Sequence, residues 1–282
     1  LYFWLKSCNA FPILGSLTWE RIEVHQDYGP RPFEEIEGLF DCVGSIAFGD
    51  QKTKIIKDGT LFQASHISRE LHEPIVFIDI TKGVPALVKD LTLFVQNHQI
   101  DMLIALDVGG DIIARGHEPG LRSPLADAIT LSLVANMNIP KAIGIFGLNC
   151  DGELTIDELN GYLLEYNLKD WIFGQRIHTE EELRFMERIL DASGAVTEAS
   201  RQPLRFLNGE KGETTLRGGT RKLFLDEIIT HTFFLRVDEI YPTCPLAQAI
   251  SESQSIIDAN EILLLKFSLI SEYESEKRKL AG

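Results

Sequence analysis

The stretch Asp107-Val-Gly-Gly-Asp-Ile-Ile-Ala-Arg-Gly-His-Glu-Pro-Gly-Leu-Arg-Ser123 is dense in both charge signs and in glycine, although apolar elements flank it. Asp107 and Asp111 can bind a divalent cation or act as acid and base, while Arg115 and Arg122 can hold a carboxylate or phosphate with paired N–H donors. Gly109, Gly110, Gly116 and Gly120 allow the positive φ and close backbone approach of a loop that wraps a ligand. His117 titrates near neutrality and Glu118 stands beside it, so both join the candidate acid–base groups. After Ser123 the free N–H groups of a helix start offer a half-positive end to an anion. The competing reading is a salt-bridged loop in which the two arginines neutralise the aspartates and Glu118; site is preferred to loop because this charge sits where an α/β fold keeps its pocket.

Two further clusters qualify. Asp151 follows the next apolar run, within Asn149-Cys-Asp-Gly-Glu-Leu-Thr-Ile-Asp-Glu158. That segment resembles the later half of a calcium loop, but the first ligand position would fall on Gly147 and the incoming element reads as a strand, so Asp151 is assigned to the same cleft as Asp107. Arg217-Gly218-Gly219-Thr220-Arg221 can form an anion nest of backbone N–H groups, and a solvated hairpin turn accounts for it nearly as well. His178, directly before a capping threonine, reads as structural.

The elements that must position these groups alternate between apolar β-rich runs and helical patterns. Strands are expected at Ile75–Ile80, Met102–Asp107, Ala142–Gly147 and Asp170–Phe173, and helices at about Pro85–Asn97, Pro124–Asn136, Ile156–Asn167 and Glu180–Asp191. Ser123-Pro124 reads as a capped helix start, and Thr155-x-x-Glu158 and Thr179-x-x-Glu182 as capping boxes. A further strand is expected over Ile228–Val237, and a last helix over Ser255–Ser271 before a charged tail. This alternation predicts a doubly wound, mostly parallel, Rossmann-like sheet with helices on both faces, in one α/β domain over residues 1–282. The segments before Ala64 and after Asn208 are expected at its edges. As parallel neighbours, the strand ends would bring Asp107, Asp111 and Asp151 together across ~5 to 10 Å. Charges that close require either a cation, Mg²⁺, Mn²⁺ or Ca²⁺ by their oxygen donors, or an arginine. Arg115 or Arg122 in that role is the slightly preferred version.

The chain has 27 basic and 42 acidic residues, a net charge of −15, which argues against sequence-independent nucleic-acid or anionic-membrane binding. Cys8, Cys42, Cys150 and Cys244 are too scattered for a zinc site or a disulfide scaffold, and reduced thiols in a cytoplasm are expected. No apolar run reaches the ~20 residues of a membrane span. A homo-oligomer stays open. Serine-hydrolase elbow, Walker A, zincin and dinucleotide-binding motifs are absent from the sequence.

The segment from Asp107 to Asp127 resembles an archaeal and bacterial family of conserved hypothetical proteins, domain of unknown function family 1152. Leu17-Thr-Trp-Glu-Arg21, Gly29-Pro-Arg-Pro32, Asp151-Gly-Glu153 and Leu216-Arg-Gly-Gly-Thr-Arg221 look like its other signature pieces, so the likeness spans nearly the whole chain. The resemblance implies a preceding strand and glycine-rich loop ending in Asp, upstream of Leu1, and no established activity. A fainter similarity of Asp107-Val-Gly-Gly-Asp111 to D-glutamate cyclases points to a lyase or hydratase on a small carboxylate. The sequence therefore supports an enzyme, a hydrolase or lyase, on a small anionic metabolite in a cleft at the strand ends. The alternative is a metabolite-binding or regulatory module using the same pocket without turnover.

Overall fold

The computed structural model describes residues 1–22, 24–164, 172–193 and 197–282. Its strands are β1 Gly15–Leu17, β2 Ile36–Glu37, β3 Phe40–Val43, β4 Ile46–Gly49, β5 Lys54–Ile55, β6 Ile75–Ile78, β7 Leu103–Val108, β8 Lys141–Phe146, β9 Ile172–Ile177, β10 Gly212–Leu216, β11 Arg221–Leu225 and β12 His231–Leu235. Its helices are α1 Tyr2–Ser7, α2 Gln63–Leu71, α3 Val84–Asn97, α4 Pro124–Ala135, α5 Ile156–Leu164, α6 Glu180–Ser193, α7 Gln202–Leu207, α8 Val237–Ile240, α9 Pro245–Ala249, α10 Ile256–Phe267 and α11 Glu272–Ala281.

These strands form four sheets: β1-β6-β4-β3, β7-β8-β12-β9, the hairpin β10-β11 and the ribbon β2-β5. Only β1 with β6 and β7 with β8 pair in parallel; the other pairs are antiparallel. The doubly wound, mostly parallel Rossmann-like sheet expected from the sequence is therefore incorrect. β6 lies in a different sheet from β7 and β8, and β12 inserts antiparallel between β8 and β9. Of the segments expected at the edges, β1 and β3 form the two edges of the first sheet, whereas β4 and β12 are inner strands of the two larger sheets. An apolar run records burial on both faces, not the direction of its neighbours. β12, His-Thr-Phe-Phe-Leu, is buried at every position but the first and so qualifies as an inner strand from the far end of the chain.

The expected helices stand with small shifts. α4 runs Pro124–Ala135 and α3 starts at Val84, while residues 165–167 of the expected Ile156–Asn167 helix and Asp170-Trp171 of the expected strand lie outside the described residues. The last expected helix stops at Phe267, where Ser268 turns left-handed at φ 56°. The tail then forms α11, begun by Ser271, whose hydroxyl accepts the N–H of Glu274 at 3.3 Å. Among the described residues no helix is long and apolar enough to cross a membrane.

The main apolar cluster joins Ile46 and Val76 of the first sheet to Ile143, Ile145 and Leu235 of the second, with Leu87 of α3 and Leu125 and Ile129 of α4. α4 is buried along most of its length and packs on α3, β7, β8 and the C-terminal helices α8 to α11. Each fully buried Leu or Ile there contributes roughly 1.5–3 kcal/mol. Its position is thereby fixed, and with it the first turn that faces the ends of β7 and β8.

Candidate functional site

β7 and β8 run parallel with Asp107 opposite Ile145 and Val108 opposite Phe146, so both chains leave the sheet side by side. After β7, Gly109 and Gly110 take φ of 124° and 117°, values that L side chains rarely adopt. The Gly110 N–H donates to Asp107 Oδ2 at 2.8 Å, and the turn delivers Asp111 to the start of a short 3-10 helix, Asp111–Ile113. After β8, Asn149 donates its backbone N–H to the Gly109 carbonyl at 2.7 Å and its side-chain amide to the Leu154 carbonyl at 2.6 Å. The two loops are thus stitched together, and Asp151 packs directly against Gly109.

Around this junction the carboxylates fall into two overlapping groups. Oxygens of Asp107, Asp111 and Asp127 lie within 4.8 Å of one another, as do oxygens of Asp111, Asp151 and Glu153. All five line one cavity of about 260 Å³, with Arg21, Arg217, Arg221, Glu198 and Glu272 also in its wall. Asp107, Asp111 and Asp151 are buried, each no more than 7% exposed, and Asp151 Oδ2 has no hydrogen-bond donor.

Glu153 differs in kind from the four aspartates. Its Oε1 takes the Ser123 hydroxyl and Arg221 at 2.9 Å; its Oε2 takes the N–H groups of Arg122 at 2.6 Å and Ser123 at 2.9 Å. Each oxygen already has two donors, so Glu153 serves as a clamp between the β8 loop, the start of α4 and the β10-β11 hairpin. Arg221 completes that clamp by donating to the Asp151 carbonyl at 3.0 Å. Glu272 of α11 accepts the N–H groups of Leu125 at 3.1 Å and Ala126 at 2.7 Å. The helix start expected to receive an anion is therefore filled by two of the protein's own carboxylates. Ser123, expected to cap it through its hydroxyl, gives that hydroxyl to Glu153 instead.

Burial, reinforced by the neighbouring acidic groups, raises the pKa of every aspartate in the cluster. Asp107 is pushed up to about 6 and Asp151 to about 8, while Asp111 and Asp127 rise well above the usual carboxylate range. Without a counter-ion, these shifts favour the protonated forms of the aspartates. A divalent cation would offset the cost of burying these charges together with their mutual repulsion, and four carboxylates are a hard-oxygen donor set suited to Mg²⁺, Mn²⁺ or Ca²⁺.

The remaining sequence candidates lie elsewhere. The Arg115 guanidinium stacks over the Tyr162 ring at 4.1 Å, and Glu118 accepts the Tyr162 hydroxyl at 2.5 Å and the backbone N–H groups of Arg115 and Gly116. His117 is exposed, with Nε2 3.3 Å from the same hydroxyl. Arg122 is exposed and turned back onto the carbonyls of Pro119 and Leu121. None of these four lines the cavity, so the arginine-neutralised version of the cluster lacks its arginines. Gly218, Gly219 and Thr220 form the exposed turn of the β10-β11 hairpin, while Arg217 and Arg221 at its base reach the cavity. Both oxygen contacts of Glu158 serve Thr155 as a capping box, which removes the calcium-loop reading. His178 bonds Thr232 at 2.8 Å, and burial holds its pKa down at about 4.

Four charged wall residues escaped the sequence reading: Arg21, which entered only in a signature piece, Asp127, Glu198 and Glu272. Asp127 lies in the first turn of α4, where an acidic residue favours any helix N-terminus and so carries no site signal of its own. Glu198 carried no readable signal. Glu272 was hidden in the charged tail, although Ser271-x-x-Glu274 is the same start pattern as Thr155-x-x-Glu158 and marks a helix there.

No curated protein and no solved structure matches the chain. A family model described as "Protein of unknown function (DUF1152)" matches residues 1–280, nearly the whole length. Asp107, Asp111, Asp127, Asp151 and Arg221 all fall inside that match, and the chain belongs to this family of unknown function.

Proposed function

We propose that the protein is a divalent-cation-dependent enzyme acting on a small anionic metabolite, with its cation ligands drawn from Asp107, Asp111, Asp127 and Asp151. The observation that carries this reading is the convergence of four carboxylates on one cavity, where buried Asp151 Oδ2 has no donor. A buried carboxylate oxygen without a partner costs free energy unless a ligand satisfies it. The nearest buried guanidinium, Arg221, already pairs with Glu153 at 2.9 Å.

A cation here would polarise a carbonyl or phosphoryl oxygen, or supply hydroxide by lowering the pKa of a bound water. At the cavity wall, Arg217 is exposed and, among the described residues, is held by a 3.6 Å contact to Glu198, which leaves it able to turn towards an incoming anion. Arg21 stands in the same wall, placed by Glu276 of α11 at 2.5 Å. Hydrolysis and elimination both fit this set.

The test is turnover of a panel of phosphorylated and carboxylate metabolites with Mg²⁺ or Mn²⁺ and with chelator. Cation-dependent turnover, with Asp111→Ala losing rate far more than ligand affinity, supports the reading. Binding that survives chelation, with Asp111→Ala losing affinity alone, assigns the pocket to a non-catalytic module.

A further inference from the structure

We infer that the pocket holds two divalent cations bridged by Asp111, one between Asp107, Asp111 and Asp127 and the other between Asp111 and Asp151, with the anionic substrate closing both coordination shells. The inference rests on the cation-dependent reading above and adds the number of ions and where the anion goes.

Geometry carries the first step. Donor oxygens on opposite sides of an ion at about 2.1–2.4 Å are about 4.2–4.8 Å apart, so one ion gathers only oxygens within that reach. The carboxylates do not form one such set. They form two, each within 4.8 Å internally, with Asp111 as the shared member. Asp111 sits where a bridging carboxylate sits in two-metal sites, whose ions stand about 3.5–4 Å apart. The second set loses Glu153 as a ligand because four donors already surround it, leaving open positions beside Asp111 and Asp151. Asp151 Oδ2, buried and without a donor, faces that opening.

Charge carries the second step. Among the described residues the cavity is lined by seven carboxylates, Asp107, Asp111, Asp127, Asp151, Glu153, Glu198 and Glu272, and by three arginines, Arg21, Arg217 and Arg221. Fully ionised, that lining carries a formal excess of four negative charges. One divalent cation leaves an excess of two, which repels an anion; two cancel it, and Arg217 then meets an anion at a neutral floor. Two cations thus offset the charge of the lining more fully than one and give the anion's oxygens a bridging seat.

The experiment is titration of the whole protein with Mn²⁺ alone, read by native mass spectrometry and by electron paramagnetic resonance. The expected result is two Mn²⁺ per chain with a spin-coupled spectrum, reduced to one uncoupled ion in Asp127→Asn and again in Asp151→Asn. A single uncoupled Mn²⁺ per chain that Asp151→Asn abolishes overturns the two-ion arrangement and leaves the one-cation enzyme standing. No Mn²⁺ bound by the folded wild-type protein overturns both.

Discussion

A methyl group on Gly109 would lie 2.2 Å from Cγ of Asp151, so the turn after β7 and the carboxylate after β8 fit together only because residue 109 has no side chain. Gly109→Ala must displace Asp151 and must also hold alanine at φ 124°. The backbone conformation alone costs about 1–3 kcal/mol. The expected outcome is a folded but destabilised protein that has lost at least tenfold in Mn²⁺ affinity, read by thermal melting and by calorimetric titration. Undiminished affinity would detach Asp151 from the site.

Arg221 and Glu153 form an ion pair at 2.9 Å in which both side chains are buried. Arg221→Met leaves a buried carboxylate short of its charged partner and is expected to destabilise the protein by about 3–5 kcal/mol. Adding Glu153→Gln should recover part of that loss. Denaturant unfolding of the two single variants and the double variant checks it; a strictly additive double variant would mean that the pair is not coupled.

The cation-free protein is expected to lose stability as pH rises from about 4 to 8. Asp107 and Asp151 hold protons up to about pH 6 and about pH 8 when folded, against an ordinary value near 3.8, so the folded state binds more protons across that window. The slope of unfolding free energy with pH is then negative. Saturating Mn²⁺ or Mg²⁺ binds the ionised form, so it should flatten or reverse the slope and release protons on binding. Melting temperatures at several pH values, with and without cation, read this directly.

For the same reason Asp111→Asn should stabilise the cation-free protein, by on the order of 1–3 kcal/mol at pH 8 and less at pH 5. The buried, repelling carboxylate that costs stability is the one the site needs. The variant should melt higher without cation and gain nothing when Mn²⁺ is added.

The sequence displays the site's chemistry more clearly than the fold that holds it. Asp107, Gly109, Gly110 and Asp111 stand in one short run at a strand end, and paired glycines between two carboxylates mark a turn tight enough to bring those acids together. Strand direction was not legible, because β12 and β6 look alike as apolar runs although one lies antiparallel beside β8 and the other belongs to a different sheet. Partner choice was also hidden: Arg115 and Arg122 occupy the same loop as Asp111, yet Tyr162 and two backbone carbonyls capture them. Glu153 and Glu272 reach the start of α4 from distant segments, which local pattern cannot foresee.

Calorimetric titration of the wild-type protein and of Asp151→Asn with Mn²⁺, Mg²⁺ and Ca²⁺ at pH 8 tests the central claim most directly. The wild type should bind at least one of these cations with proton release, and Asp151→Asn, melting no lower than the wild type, should bind fewer ions or bind at least tenfold more weakly. A folded wild-type protein that takes up none of the three, or a variant whose stoichiometry and affinity both equal the wild type's, would contradict a carboxylate-held cation in this pocket.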